Sequence, residues 1–334
     1  MHKGRRGSVA FIEAKDLTKH FRIKQGIGGK TAILKAVDEV SFEVGKDSVF
    51  SIVGESGCGK STLARMLIRL LDPSGGKVMF EGNDIFQLSG NDLKEFRRSV
   101  QIIFQDPYAS LNPRMRVYTT LSEPLKIHGM VSKDKLRDKV AELLHSVGLT
   151  PDMMNKYPHE FSGGQRQRIC IARSLSLSPK LIIADEPLSA LDVSIQAQII
   201  NLLQDLRKRF GLSFIFISHD LNVVHYFSDT VAVMYLGRIV ELADADKLFD
   251  RPLHPYTELL LKAAPKVNVQ KDVRVPSGTV SETDVPSPID MPSGCSFHPR
   301  CPKRFDRCDN TEPALIKVDG RQVRCLLYES NKQG

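Results

Sequence analysis

The chain has 334 residues, 41% of them hydrophobic and 26% charged, with a formal charge of +8. That length can bury a sizeable core in two or three lobes, and no run approaches the ~18 apolar residues that a membrane span requires. The basic start Met1-His2-Lys3-Gly4-Arg5-Arg6 leads into no apolar stretch of signal-peptide kind, so a soluble, cytoplasmic chain that meets membranes only through a partner is expected. The positive charge is spread along the chain. It reads as a solvated surface, or as attraction to nucleic acid or an anionic leaflet, and charge alone does not decide.

Residues 9 to 53 alternate in strand fashion (Val9 to Ile12, Val37 to Phe42) around a Gly/Lys turn at Gln25 to Lys30. Val49 to Val53 is a continuous apolar run, as in a buried parallel strand. Ser61 to Leu71 then carries Leu63, Met66, Leu67 and Leu70 at helical spacing. From Asp106 to Phe161 the pattern is mostly helical, with Leu136, Val140, Leu143 and Leu144 on one face of Lys133 to Val147. A helix over Gln165 to Ser176, a strand over Leu181 to Ala184, a helix over Ile195 to Phe210 and a strand over Ser213 to Ile217 follow. Strands alternating with helices imply a parallel sheet covered on both faces. The Pro-rich stretch Ala264 to Gly294 (Pro265, Pro276, Pro286, Pro288, Pro292) reads as an extended connection to a small C-terminal module.

Between the Val49 strand and the next helix lies Gly54-Glu55-Ser56-Gly57-Cys58-Gly59-Lys60-Ser61, which fits G-x-x-x-x-G-K-[ST], the loop whose backbone cradles nucleotide phosphates. Glycines are needed because backbone N–H groups must approach phosphate oxygens closely; Cys58 needs only to be small. Lys60 should reach the β- and γ-phosphates and Ser61 should ligate Mg²⁺, while Thr62 lies where the helix dipole favours anions. Asp185 ends an apolar strand, a poor place for a carboxylate unless it serves a cation, and suits holding Mg²⁺ through water. Glu186 suits positioning the attacking water as general base. His219 also follows an apolar strand; with the rest present it reads as a contact to the γ-phosphate. Ser162-Gly163-Gly164-Gln165 opens a helix, a second anion-binding N-terminus in a chain with one phosphate-loop lysine.

Together with Phe161-Ser162-Gly163-Gly164-Gln165 and Leu181 to Glu186, the phosphate loop resembles the ATP-binding subunit of an ATP-binding-cassette (ABC) importer, in the dipeptide/oligopeptide/nickel branch. The resemblance implies an α/β P-loop cassette: a RecA-like parallel sheet core, an antiparallel β subdomain, an α-helical subdomain and a small cysteine-rich C-terminal extension. The corresponding divisions are 1–105, 106–164, 165–250 and 251–334. It implies that Phe21, where Tyr is frequent, stacks on adenine and that Gln105 senses Mg²⁺ and the attacking water. It implies that Asp192, in Ser189-Ala190-Leu191-Asp192, communicates across a dimer. Phe161 stands in for the usual Leu of the signature. In such a dimer Ser162, Gly163, Gly164 and Gln165 close on the ATP of a second ABC subunit, identical or homologous. Pro107 to Met115 would contact two transmembrane permease subunits, and Pro252 to Thr257 is characteristic of the branch. The implied location is the cytoplasmic face of the membrane, and cargo choice falls to an external binding protein and the permeases. A rival reading, a soluble ABC ATPase acting on nucleic acid, lacks the second cassette or coiled-coil insert expected of it.

Cys295, Cys301, Cys308 and Cys325 are spaced C-x5-C-x6-C-x16-C. Such bunching points to metal ligands rather than disulfides in a cytosolic chain. Structural zinc usually takes tighter pairs, whereas wider loops with Pro beside a ligand suit a [4Fe–4S] cluster, which the resemblance also implies. Zn²⁺ is the alternative, then disulfides or free thiols.

Overall fold

The computed structural model describes residues 10–24, 31–263, 286–287 and 289–332. The expected turn at Gln25 to Lys30 and most of the Pro-rich connection lie outside them. The chain runs β1 (Ile12–Lys24), β2 (Thr31–Val44), β3 (Val49–Val53), α1 (Lys60–Leu67), β4 (Gly75–Phe80), β5 (Asn83–Asp84), α2 (Gly90–Ser99) and β6 (Val100–Ile103). Next come α3 (Pro107–Ser110), α4 (Val117–Ile127), α5 (Leu136–Ser146), α6 (Gly163–Leu175), β7 (Leu181–Asp185), α7 (Val193–Phe210), β8 (Ser213–Ile217) and α8 (Leu221–Phe227). The last part holds β9 (Thr230–Tyr235), β10 (Arg238–Asp244), α9 (Ala245–Asp250), α10 (Pro255–Ala263), α11 (Arg307–Asn310), β11 (Ile316–Val318) and β12 (Arg321–Val323).

Two sheets form. The larger has the order β11-β12-β10-β9-β3-β8-β7-β6 and the smaller, antiparallel one β2-β1-β4-β5. In the larger sheet β6, β7, β8, β3 and β9 are parallel neighbours, but β10, β12 and β11 add an antiparallel edge. The core sheet is therefore mixed rather than wholly parallel. Short reversals such as Leu236-Gly237 leave no room for the crossover helix that a parallel neighbour needs.

Period-two alternation divides the core. Ile52, Ile183, Ile215 and Ile217 face a layer made of α1 and the small sheet, whereas Val53, Ile182, Phe214 and Phe216 face α6, α7, α8 and the helical region of α4 and α5. A buried cluster joins the two sheets: Asp38 of β2 accepts two hydrogen bonds from Arg238 of β10, at 2.9 and 2.7 Å, and pairs with His20 at 2.8 Å. Burial works to raise the Asp38 carboxyl, but Arg238 and His20 outweigh it and hold it below the usual range.

Two helix boundaries differ from expectation. The first helix ends at Leu67 rather than Leu71, because Arg69 takes a left-handed conformation (φ 55°) and turns the chain, leaving Leu70 62% exposed. The helix over Lys133 to Val147 opens as a 3-10 turn, Lys133–Lys135. The C-terminal segment packs onto the main body: β12 pairs with β10, and Cys295, Phe297, Cys308 and Leu326 belong to the main core. Among the described residues no helix is long and apolar enough to cross a membrane.

The C-terminal segment is anchored at Leu253 and His254, whose N–H groups donate to the fully buried Glu241 carboxylate at 2.8 and 2.9 Å. His254 Nδ1 accepts from the Tyr256 N–H at 3.0 Å, and burial pushes this imidazole down to about 3. Unfolding returns it to about 6.5, so the unfolded chain binds the extra proton. Stability therefore falls as pH drops from about 6.5 toward 3, by at most ~1.4 kcal/mol per pH unit from this group. Urea midpoints against pH are expected to show a shallower acid limb for His254→Asn, which keeps an acceptor for Tyr256; parallel limbs would refute the assignment.

Candidate functional site: a nucleotide cleft at the carboxyl ends of the parallel strands

The register places the site. Ile52 is level with Ile217, Asp185 with Ile217, and Ile103 with Ala184. The phosphate loop, Gln105, Asp185-Glu186 and His219 therefore leave neighbouring strands at one edge, where open α/β sheets bind ligands.

Loop 54–61 holds its shape by close backbone approach. At Gly59 (φ 108°) a Cβ would lie 2.0 Å from the Ala36 carbonyl oxygen, and at Gly54 one would lie 2.2 Å from the Met234 carbonyl oxygen. Lys60 is buried, with Nζ donating to the carbonyls of Gly54 at 2.8 Å and Glu55 at 2.9 Å. Cys58 is buried under the loop, its thiol pushed up by burial. Ser61 Oγ donates to Asp185 Oδ1 at 3.0 Å. Burial raises the Asp185 carboxyl and the Ser61 bond partly offsets it, while Glu186 raises it further. The paired hydroxyl and carboxylate oxygens are the hard donors that Mg²⁺ takes alongside substrate phosphates, so these residues fit that ion.

Three groups converge on the Glu186 carboxylate. Gln105 Nε2 donates to Oε2 at 3.0 Å, His219 Nδ1 lies 3.4 Å from Oε2, and Lys60 Nζ is 3.9 Å from Oε1. Glu186 itself is left-handed (φ 46°), its N–H donating to the Ile217 carbonyl. Phe21 and Thr62 line the same cleft as Ser56, Gly57, Gly59, Lys60, Gln105 and Glu186. Lys19 Nζ lies 5.2 Å from the Phe21 ring centroid.

The second glycine motif stands apart from this cleft. Ser162 caps α6 in a capping box with Gln165, the two exchanging bonds at 3.4 and 3.1 Å, and Phe161 is buried beside it. None of Ser162, Gly163, Gly164 and Gln165 is among the residues lining the cleft. Asp192 precedes α7 on an exposed stretch where Val193 is 82% exposed. Arg166 of α6 stacks over the exposed Tyr108 at 3.9 Å, and Arg173 donates to the Ser110 carbonyl at 2.6 Å. The signature helix and the segment after Gln105 are thus tied to each other.

Sequence reasoning missed Arg166 and Arg173, and also Tyr256 and Arg300, which reach the phosphate loop from far along the chain. At the C-terminus Cys295, Cys308 and Cys325 are buried and Cys301 half-buried, all as free thiols. The Cys295 N–H donates to the Cys308 carbonyl at 2.9 Å, and His298 Nδ1 sits 3.0 Å from the Cys295 carbonyl oxygen. Among the described residues no three His, Cys, Asp or Glu side chains converge to hold a single metal ion.

Parallel strands feeding a glycine-lined phosphate loop, an Asp-Glu pair and an outlying signature helix define a P-loop ATPase of the ATP-binding-cassette class. The ABC transporter family model matches residues 37–189, and the model for the C-terminal region of oligopeptide/dipeptide transporters matches 240–308. A probable peptide ABC transporter ATP-binding protein, y4tS of Sinorhizobium fredii, is 51% identical over 95% of this chain and 90% of its own. The dipeptide transport ATP-binding protein DppF of Escherichia coli is 45% identical over 96% and 95%. Among solved structures, dimeric MJ0796, an ATP-binding cassette bound to ADP and Pi, matches with a TM-score of 0.62 and 28% identity, covering 70% of this chain and 98% of that one. The cbiO1 subunit of Clostridium perfringens gives 0.61 and 28%, covering 72% and 91%. This chain belongs to the ATP-binding subunits of ABC transporters, in the oligopeptide/dipeptide branch, and is an ATPase.

Adding one methyl group at Gly59 is expected to abolish ATP binding and to cost at least ~2 kcal/mol of stability, because the carbonyl it meets is backbone. Melting and nucleotide titration of Gly59→Ala measure both; parent-like binding would contradict this loop geometry.

Proposed function

We propose that this chain is the ATP-hydrolysing subunit of a peptide importer, working as half of a head-to-tail pair. The observation that carries the proposal is the split between the two glycine motifs: the cleft gathers Lys60, Ser61, Gln105, Asp185, Glu186 and His219, while Ser162 to Gln165 line no part of it. The signature then serves the cleft of a second ABC subunit, identical or homologous, and receives that subunit's signature in return. The exposed Asp192 and Val193 suit the seam between them. Two transmembrane permease subunits take up the Pro107 to Met115 segment at the cytoplasmic face of the membrane. An external binding protein delivers di- or oligopeptides (nickel being the other cargo of the branch). The functional divisions are 1–105 and 165–250 for the ATP core, 106–164 for the helical coupling part and 251–334 for the C-terminal extension.

In this reading the Ser61 hydroxyl and Asp185 hold Mg²⁺, which when bound neutralises phosphate charge. Phe21 offers its ring to adenine. Glu186 takes the proton of the attacking water, with Gln105 and His219 fixing its carboxylate and the water, and Lys60 leaves the loop carbonyls for the phosphates.

The reading extends to a [4Fe–4S] cluster on Cys295, Cys301, Cys308 and Cys325. Burial, followed by the charges of Cys295, Cys301 and Cys308, pushes the Cys325 thiol up to about 12. Four thiols near enough to feel one another in an apolar setting ionise readily only around a cation. The spacing C-x5-C-x6-C-x16-C, looser than the close pairs of structural zinc, favours the cluster over zinc, although among the described residues no three side chains gather around one metal ion of either kind.

Glu186→Gln should bind ATP as the parent does, form a stable ATP-dependent dimer by light scattering and lose turnover by roughly 10²–10⁴-fold; unchanged turnover would refute the base. Protein purified anaerobically should be brown, bleach with dithionite and carry about four irons per chain. A colourless, iron-free preparation would overturn the cluster.

A further inference from the structure

Glu55 is the one acidic side chain in loop 54–61, and the C-terminal segment grips it. Arg300 donates from Nη1 to Oε2 and from Nη2 to Oε1, both at 2.8 Å, across 245 positions of sequence. The Glu55 N–H donates to the Tyr256 hydroxyl at 3.0 Å, and its carbonyl accepts from Lys60 Nζ at 2.9 Å. Backbone and side chain of this single residue are thus fixed from three sides.

The pair is no ordinary surface bridge. The Arg300 side chain is only 8% exposed, and its guanidinium lies 5.9 Å from the Tyr235 ring centroid. Tyr235, Tyr256 and Phe297 form a wall beside it, their ring centroids 4.7 to 5.4 Å apart. Exposed ion pairs contribute little, but a fork-on-fork pair with one partner shielded from water is both directional and strong. The Glu55 carboxylate also belongs to the loop that receives a triphosphate. Unpaired, it would repel that anion; paired, it is neutralised and its loop is held in place.

We infer that Arg300 is a positioning residue for nucleotide binding: by neutralising Glu55 and fixing the first turn of the phosphate loop, it makes the affinity for ATP depend on the segment around Cys295 to Cys301. The inference rests on this loop binding ATP. It assigns the C-terminal segment a part in the nucleotide site.

The test uses full-length chains: the parent, Arg300→Ala, Glu55→Gln and the double variant. Titration calorimetry with Mg-ADP gives Kd, steady-state ATPase gives KM and kcat, and melting checks the fold. Arg300→Ala should raise Kd and KM roughly tenfold with kcat within about twofold. The double variant should return to within about threefold of the parent, because no carboxylate remains to be neutralised. Parent-like affinity in Arg300→Ala overturns the inference, as does a double variant as weak as the single one. Should Arg300→Ala fail to fold, Arg300→Lys, which keeps the charge without the fork, is read instead: a rise of about threefold in Kd supports the pair and no change overturns it. A parent that binds no Mg-ADP would sink the nucleotide reading itself.

Discussion

Four parallel strands, β6, β7, β8 and β3, share a register that delivers Gln105, Asp185-Glu186, His219 and the phosphate loop to one edge of the sheet. The rest of the site follows from that delivery. Glu186 is approached by an amide, an imidazole and an ammonium from three separate segments, within 3.0 to 3.9 Å. The register is in turn protected by burial on both faces, which makes each of β3, β7 and β8 wholly buried.

The same architecture keeps the α6 N-terminus, with Ser162 to Gln165, off the lining of the phosphate-loop cleft. Ser162 and Gln165 satisfy each other's backbone groups, so the α6 terminus is pre-shaped without a ligand. Arg166 and Arg173 tie α6 to the segment beginning at Tyr108, and Gln105, just upstream of that segment, bonds directly to Glu186. A continuous run of contacts therefore links the Glu186 carboxylate to the signature helix. The C-terminal segment meets the phosphate loop at Glu55 through Tyr256 and Arg300.

Much of this was legible in the sequence because the chemistry is local there. The phosphate loop, the Asp185-Glu186 pair and the signature are contiguous strings, and buried strands such as Leu181–Asp185 and Ser213–Ile217 are unbroken apolar runs. What escaped depends on contacts distant in sequence or on conformation. The end of α1 is set by a left-handed Arg69, which periodicity does not reveal. β4 opens on two glycines and carries little β pattern. Pairing between β10 and β12 and the bond from Arg300 to Glu55 link residues tens to hundreds of positions apart. The Pro-rich stretch suggested a connection to a small C-terminal module, and only contacts distant in sequence reveal that Phe297 and Cys308 of that segment pack into the main core.

The structure of the ATP-bound complex tests the central claim most directly. Each triphosphate is expected to lie between Lys60 of one subunit and a signature serine and glycine from its neighbour, with the neighbour's helix N-terminus aimed at the γ-phosphate. A triphosphate enclosed by one chain, with Ser162 and Gly164 facing only solvent, would contradict it.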